Sequence, residues 1–376
     1  MRALAYILSV TLMKHKKLFY IRNIIQLSTA IFGVFLCLKY GEECTQGVKN
    51  GILFCIEVLV PSLFLFMALS SYLVRSGAAE TITKPFGKVS EFLFRLPSEA
   101  FAAVILSMIG GYPVGAKVAV MLYERGRLNE SEAQKTACIA VCAGPGFLMN
   151  YVGRALLGSV KAGAILFAAQ IIGTLFTGFL IGRTVKTETY NARRDTNVPA
   201  GKNLLTTAVA DASRAVCQLC GMVVICSALI EVIATVSPSE GVTDIASAAV
   251  EITAGCGRMC GKYPLYLVTF FIGFGGISVH LQIFAGIGKI NLNKGLFFLC
   301  RIIQGIITAA AAYILFMIFP VELSVFNSTD APLTFAKSAT FAGSAALVLS
   351  SLCFLGSIHK TVNKKLSGGA RHSPTQ

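Results

Sequence analysis

Hydrophobic positions along this chain do not alternate with polar ones over short distances. They gather into long runs, near residues 20–38, 51–74, 100–123, 134–152, 160–182, 208–236, 263–287, 296–320 and 335–357. A spanning helix needs about 20 apolar residues, so the pattern predicts an all-α polytopic membrane protein. Residues 1–13 are too short to span and are expected at the interface. Residues 75–99 mix charge with apolar positions and contain Pro85 and Pro97, which reads as an amphipathic interfacial stretch. Residues 183–203 form a polar linker holding Arg183, Lys186, Arg193, Arg194 and Lys202, and the basic tail after His359 is expected to fray.

Two runs are broken by glycine in the middle. The first reads Gly110-Gly111-Tyr112-Pro113-Val114-Gly115-Ala116-Lys117, and the second Gly273-Phe274-Gly275-Gly276-Ile277-Ser278-Val279-His280-Leu281-Gln282. They share G-G-x-[PS]-V at an offset of 276 − 111 = 165. Downstream, Gly126-Arg127-Leu128-Asn129 matches Gly288-Lys289-Ile290-Asn291 at 162. The chain therefore divides into residues 1–44 (an N-terminal interfacial segment and first transmembrane helix), repeat one at 45–182, a cytoplasmic basic linker at 183–207, repeat two at 208–357 and a basic tail at 358–376. Each repeat is expected to carry a re-entrant hairpin, at 100–124 and 263–288, with Gly111 and Gly276 at the tips.

Charge orients the repeats. Five basic residues (Arg2, Lys14, Lys16, Lys17, Arg22) precede or open the first span and hold the N-terminus inside. Counting spans from there, with 100–123 starting and ending inside, leaves the basic linker inside as well. Span 208–236 then exits to a loop with Glu240 and Asp244 and no Lys or Arg, so the second broken segment enters from outside and the repeats are inverted. The same count leaves the tail outside although it carries Lys360, Lys364, Lys365 and Arg371; early helices usually dominate orientation.

Composition agrees with the runs. Of 376 residues 55% are hydrophobic and only 14% charged, against about 25% charged in soluble domains. The net charge of +15 sits at the ends of apolar segments, and no basic stretch forms a domain of its own, which argues against nucleic acid. Twelve cysteines lie mostly inside apolar runs, the pairs Cys138/Cys142, Cys217/Cys220 and Cys256/Cys260 at helical spacing, and the four histidines are scattered. No metal or cofactor is expected from that arrangement. Nor is there a small-residue cleavage site after the first apolar run.

Broken segments at membrane depth are tolerated where they line a cavity, and there their amides and carbonyls can bind solute. Candidate solute-binding groups are therefore Gly110, Gly111, Tyr112, Pro113 and Lys117 at the first break, and Gly275, Gly276, Ser278 and Gln282 at the second. A further break at Ala143-Gly144-Pro145-Gly146-Phe147 adds Gly144 and Pro145, since proline frees an upstream carbonyl. Its expected counterpart, around Arg301 and Gln304-Gly305, is milder. Glu251 and Thr253, in Glu251-Ile252-Thr253-Ala254-Gly255, complete the set with Arg301. Lys117 or Arg301 would hold an anion, or snorkel instead. Glu57 would carry a proton or sodium, or make a buried hydrogen bond.

The run G-G-Y-P-V-G-A-K at 110–117 with L-Y-E-R-G-R-L-N-E-S-E-A at 122–133 resembles the sporulation integral membrane protein family YlbJ, also called SpoVV. P-S-L-F-L-F at 61–66, G-P-G-F at 144–147, E-I-T-A-G at 251–255 and F-G-G-I-S-V-H-L-Q at 274–282 resemble it too, in order, over about residues 45–320. Ala143 departs from the pattern, which carries a polar residue there. That family belongs to the gate, or nucleoside-recognition, membrane proteins, similar in plan to concentrative nucleoside transporters. The resemblance implies movement of dipicolinic acid from the mother cell across the outer forespore membrane during sporulation.

The broken segments with Lys117 and Arg301 ask for a transporter of a small anionic solute in the lipid bilayer; for the aromatic dicarboxylate that the resemblance implies, Tyr112 or Phe274 would be available to stack on the ring. The coupling ion (H+ or Na+), a nucleoside-like solute in place of the anion, and homo-oligomerisation stay open. A membrane enzyme would need a nucleophile with its base or paired carboxylates; the chain has no HExxH and no GxSxG. A structural or signalling protein of the spore envelope would need no cavity between the two tips.

Overall fold

The structure is a computed structural model that describes residues 20, 23–184, 203–237 and 239–321. The expected segment 1–13, its neighbouring basic residues, most of the linker, the span at 335–357 and the tail lie outside the described residues. Among the described residues the secondary structure is helical throughout, with no strand. Among the described residues five helices are long and apolar enough to cross a membrane: Gly41–Arg75, Val160–Thr184, Leu204–Val236, Leu265–Gly286 and Lys294–Ile318.

In chain order, α1 (Asn23–Lys39) is a shorter apolar helix. α2 (Gly41–Phe54) and α3 (Val60–Arg75) are joined through a π-turn at Cys55–Leu59. The stretch expected to be interfacial forms α4 (Ala78–Thr83), a 3-10 turn holding Pro85, and α5 (Gly87–Phe94). It meets α6 (Ser98–Gly110) at a bend of 91°, at Leu96-Pro97. α7 (Tyr112–Glu124) and α8 (Glu130–Ile139) follow, then an extended stretch, an 11-residue π-helix at Gly146–Leu156 and α9 (Val160–Thr184). The second half runs α10 (Leu204–Val236), α11 (Glu240–Val250), α12 (Ile252–Met259), α13 (Leu265–Phe274), α14 (Gly276–Gly286) and α15 (Lys294–Ile318).

Local chemistry sets these boundaries. Asn129 and Glu132 form a reciprocal capping box on α8, satisfying two amides that have no intrahelical partner. Ser239 caps α11, Glu251 caps α12 and Asn293 caps α15 through their side chains. Where long helices pack, small residues let backbones approach. A Cβ added at Gly47 would stand 2.5 Å from Cα of Ala228, joining α2 to α10, and one at Gly273 would stand 2.8 Å from Cα of Gly305, joining α13 to α15.

Of the two expected hairpins, the backbone folds back at one and runs on at the other. At Gly111 the chain folds back: α6 packs against α7, and a Cβ on Gly115 would lie 2.6 Å from that of Ser107, whereas eight residues of continuous helix separate groups by about 12 Å. At Gly275-Gly276 it does not. Leu265–Gly286 follows one spanning path of 22 residues, interrupted but not reversed. The backbone explains the difference. Gly111 has φ 88 and ψ −178, a region open to glycine alone, whereas Gly275 has φ 90 and ψ −10, an ordinary left-handed cap after which α14 restarts.

The second reversal lies earlier, at Glu251. There α11 packs on α12, and a Cβ on Gly255 would collide with Cα of Ala248. What reads as an acidic loop after residue 236 is therefore a pair of short helices. Two further expectations change. Residues 134–152 are not one span, because α8 stops at Ile139. Arg301 and Gln304 mark no break, because α15 runs uninterrupted from Lys294 to Ile318.

Each half holds a long helix, a folded-back pair, a broken segment and a further long helix, although α4 and α5 of the first half have no counterpart in the second. In this register Gly111 matches Glu251 and Gly115 matches Gly255, at an offset of 251 − 111 = 140, and Gly144 stands where Gly275 does. α9 packs along α15, and α2 and α3 pack along α10.

Gly47→Val should lower the thermal unfolding temperature of the purified protein, at a cost of about 1–3 kcal/mol for forced overpacking. Gly288→Ala, where nothing lies within 4 Å of the added Cβ, should leave it unchanged. Equal melting of both variants would mean that the α2–α10 contact does not hold the fold.

Candidate functional site

Each interruption strands backbone carbonyls, and side chains from the other half satisfy a carbonyl at each of them. In a continuous helix residue i donates its N–H to the carbonyl of residue i − 4. The chain runs without helix from Ala140 to Gly144, so the carbonyl of Val141 has no helical donor. Arg301 Nη1 donates to it at 3.0 Å and Gln304 Nε2 at 2.9 Å. Arg301 Nη2 donates to the carbonyl of Cys138, in the last turn of α8, where a cation also opposes the negative end of the helix dipole. Arg301 is fully buried, and its guanidinium lies 5.4 Å from the centre of the Phe297 ring. Gln304 also donates to Thr174 at 2.9 Å.

The second break is served in the same way. With α13 ending at Phe274, the carbonyl of Ile272 loses its helical donor, and the Tyr112 hydroxyl donates to it at 2.7 Å. The carbonyl of Phe274 takes a 2.8 Å hydrogen bond from His280 Nε2, whose ring is boxed by Phe274, Phe297 and Phe298. Tyr112 and Arg301, both expected to meet solute, are thus engaged in holding broken backbone across the two halves.

The tips meet the breaks. A Cβ on Gly144 would lie 3.2 Å from the amide of Gly111, and one on Gly276 would lie 3.2 Å from the amide of Ile252. Between them is a cavity of about 40 Å³. Tip one contributes Gly110, Gly111, Tyr112 and Pro113; tip two contributes Glu251, Ile252 and Thr253. Gly144 and Phe147 come from the first break, Val279 and Gln282 from just after the second. Leu59, Leu63, Met67 and Leu219 close the wall. This volume holds a small number of waters and no ring. Glu251 is almost wholly buried; its Oε2 accepts from the Thr253 hydroxyl and from the Ala254 amide at 2.8 Å. Gln282 Nε2 donates to Ser278 Oγ at 3.2 Å.

Lys117 faces a different space. It lines a second cavity of about 380 Å³, within the range of small-molecule sites, and Met67 is common to both walls. Arg75 and Arg214 share this cavity with Lys117, facing a single carboxylate, Asp211. Arg75 Nε pairs with Asp211 Oδ2 at 2.5 Å, and Ser71 donates to the same oxygen at 3.0 Å. Lys117 and Arg214 have no ion-pair or hydrogen-bond partner among the described residues.

The candidate residues therefore separate into groups. Gly110, Gly111, Tyr112, Pro113, Gly144, Glu251, Thr253 and Gln282 converge on the small cavity. Lys117 lines the larger one. Gly275, Gly276 and Pro145 make the breaks, Ser278 anchors Gln282, and Arg301 is a backbone staple. Glu57 faces outward, exposed. Sequence reasoning missed Arg75, Asp211 and Arg214. The signal was present, since Asp211 and Arg214 stand inside an apolar run, where charge points to function.

These features define a class: an all-helical, multi-pass integral membrane protein with a small, mostly apolar cavity between interrupted segments. The chain is 22% identical to the sporulation integral membrane protein YlbJ of Bacillus subtilis (strain 168) over 334 aligned residues, covering 76% of this chain and 81% of that protein. That similarity supports the YlbJ family as the one this chain resembles. No family model matches the chain, and no solved structure matches it.

Arg301→Met should destabilise the protein by about 2 kcal/mol or more, the cost of leaving a buried carbonyl unpaired, seen as a lower melting temperature without any solute. Gln304→Leu should cost less, because Arg301 still reaches Val141. An unchanged melting temperature for Arg301→Met would return Arg301 to the list of solute ligands.

Proposed function

We propose that the chain is a secondary transporter of a small anionic solute. Its two halves have inverted topology, and the folded-back pairs α6–α7 and α11–α12 are re-entrant. By resemblance the solute is dipicolinate, moved from the mother cell across the outer forespore membrane. The observation that carries this reading is the convergence of both tips and both breaks on one enclosed cavity, a plan found in secondary transporters with broken helices. A structural or signalling protein of the envelope has no use for such an arrangement.

The larger cavity supports an anion over an uncharged, nucleoside-like solute. Three cations against one carboxylate leave positive charge that a dicarboxylate would neutralise. In this account the solute rests in the cavity of Lys117, Arg75 and Arg214, and the small cavity at the tips is the closed constriction it must pass. Met67, shared by both walls, stands between them. Gly111 permits the constriction, since its backbone conformation excludes any side chain, and Gly111→Val should stop transport.

Lys117→Met keeps the apolar stem and removes the charge. It should weaken dicarboxylate binding to purified protein at least about tenfold, or about 1.4 kcal/mol, with folding intact. Lys84→Met, in the exposed interfacial stretch, should change little, since exposed charges contribute roughly 0–1 kcal/mol. Calorimetric titration with dipicolinate at fixed pH and salt reads both. Equal affinity of Lys117→Met and wild type would remove the larger cavity from the reading.

A further inference from the structure

The small cavity holds one ionisable side chain that neither the backbone repair nor the cationic cavity explains. Glu251 sits at the second tip, extended (φ −144, ψ 114), as the cap of the eight-residue α12. The Thr253 hydroxyl and the Ala254 amide both donate to Oε2, and the Thr253 amide is a further donor to the carboxylate. The side chain is only about 2% exposed. A cap needs one oxygen, and Asp, Asn or Ser serves better in that position. The longer carboxylate reaches the wall of the cavity of about 40 Å³.

A carboxylate so enclosed requires a counter-charge or a proton. The titratable groups that interact with it electrostatically are Tyr112 from α7, Tyr151 from the π-helix, Cys55 from the π-turn, Cys226 from α10 and Cys256 from α12. Tyrosine and cysteine side chains ordinarily carry no charge at pH 7, and α14 lines the cavity with Val279 and Gln282. The cations of the chain's solute cavity lie on the other side of Met67. A hard cation needs several oxygen ligands around it, as calcium and magnesium do, and most of this wall is apolar: Leu59, Leu63, Met67, Phe147, Leu219 and Val279.

We infer that Glu251 is a proton-binding site at the tip-to-tip constriction, and that its protonation is coupled to solute movement. The carboxylate takes a proton from water when the cavity opens to one face, the neutral acid is enclosed when the tips close, and the proton returns to water when they open to the other face. The carboxylate, enclosed without its proton, opposes closure. Coupling to a solute rests on the transport reading above; proton binding does not.

The test separates the two. Infrared spectra of the purified full chain, titrated from acid to alkaline pH without solute, should show a buried protonated-carboxyl band that disappears with rising pH and is missing from Glu251→Gln. Glu251→Asp, which keeps the cap, should retain a titrating band. Superimposable spectra of wild type and Glu251→Gln, with both proteins monodisperse, would overturn the site. In vesicles, dipicolinate uptake by wild type should rise severalfold with an inward proton gradient and should not respond to a sodium gradient. Glu251→Gln should exchange internal for external solute while ignoring the proton gradient. Uptake that follows sodium alone, or a gradient response retained in Glu251→Gln, would overturn the coupling. Absence of any uptake by wild type would count against the transport reading, and the infrared result would still decide the site.

Discussion

Backbone carbonyls stranded inside an apolar protein must find donors, and the rest of this structure follows from where they find them. An unpaired backbone group in a bilayer costs several kcal/mol. Here the carbonyls released where α8 ends are met by Arg301 and Gln304 from α15, and the one released at Gly276 is met by Tyr112 from the opposite tip. Each half of the chain repairs the break in the other, 160 or more residues away in sequence. Neither half satisfies its own break without the other.

That reciprocity also fixes the geometry of the interior. Because Tyr112 is tied to the second break, the first tip cannot drift from it. Because Arg301 holds the end of α8, the stretch that touches Gly111 is held in extended form. The space left between is small, nearly dry and contains Glu251. The charged space, with Lys117, Arg75 and Arg214, lies to one side of it. A division between a roomy cationic cavity and a tight constriction suits a molecule that accepts a solute and then closes around it, and a constriction built from backbone contacts between tips can open by moving the tips apart.

Much of this was legible in the chain. Long apolar runs predict the helices, the basic clusters predict where segments end, and Gly110-Gly111 and Gly144-Pro145 predict two interruptions at the right places. The second reversal was not legible, because its turning residue, Glu251, has a negative φ and needs no glycine. The Gly275-Gly276 pair looks like the first tip by its letters, but a left-handed cap and a reversal differ only in ψ, which letters do not carry. Arg301 reads as an anion ligand from its burial in an apolar run; only the fold shows that two carbonyls from the other half claim it. Arg75, Asp211 and Arg214 come together from two helices, so no spacing along one segment announces them.

The central claim is that the cavity between the halves serves solute passage. Purified protein reconstituted into sealed vesicles, with dipicolinate outside and none inside, tests it directly. The account predicts saturable accumulation well above protein-free vesicles, abolished by unlabelled competitor dicarboxylate and indifferent to an uncharged nucleoside. Dipicolinate entering no faster than into protein-free vesicles, with the protein shown folded and inserted, would contradict it.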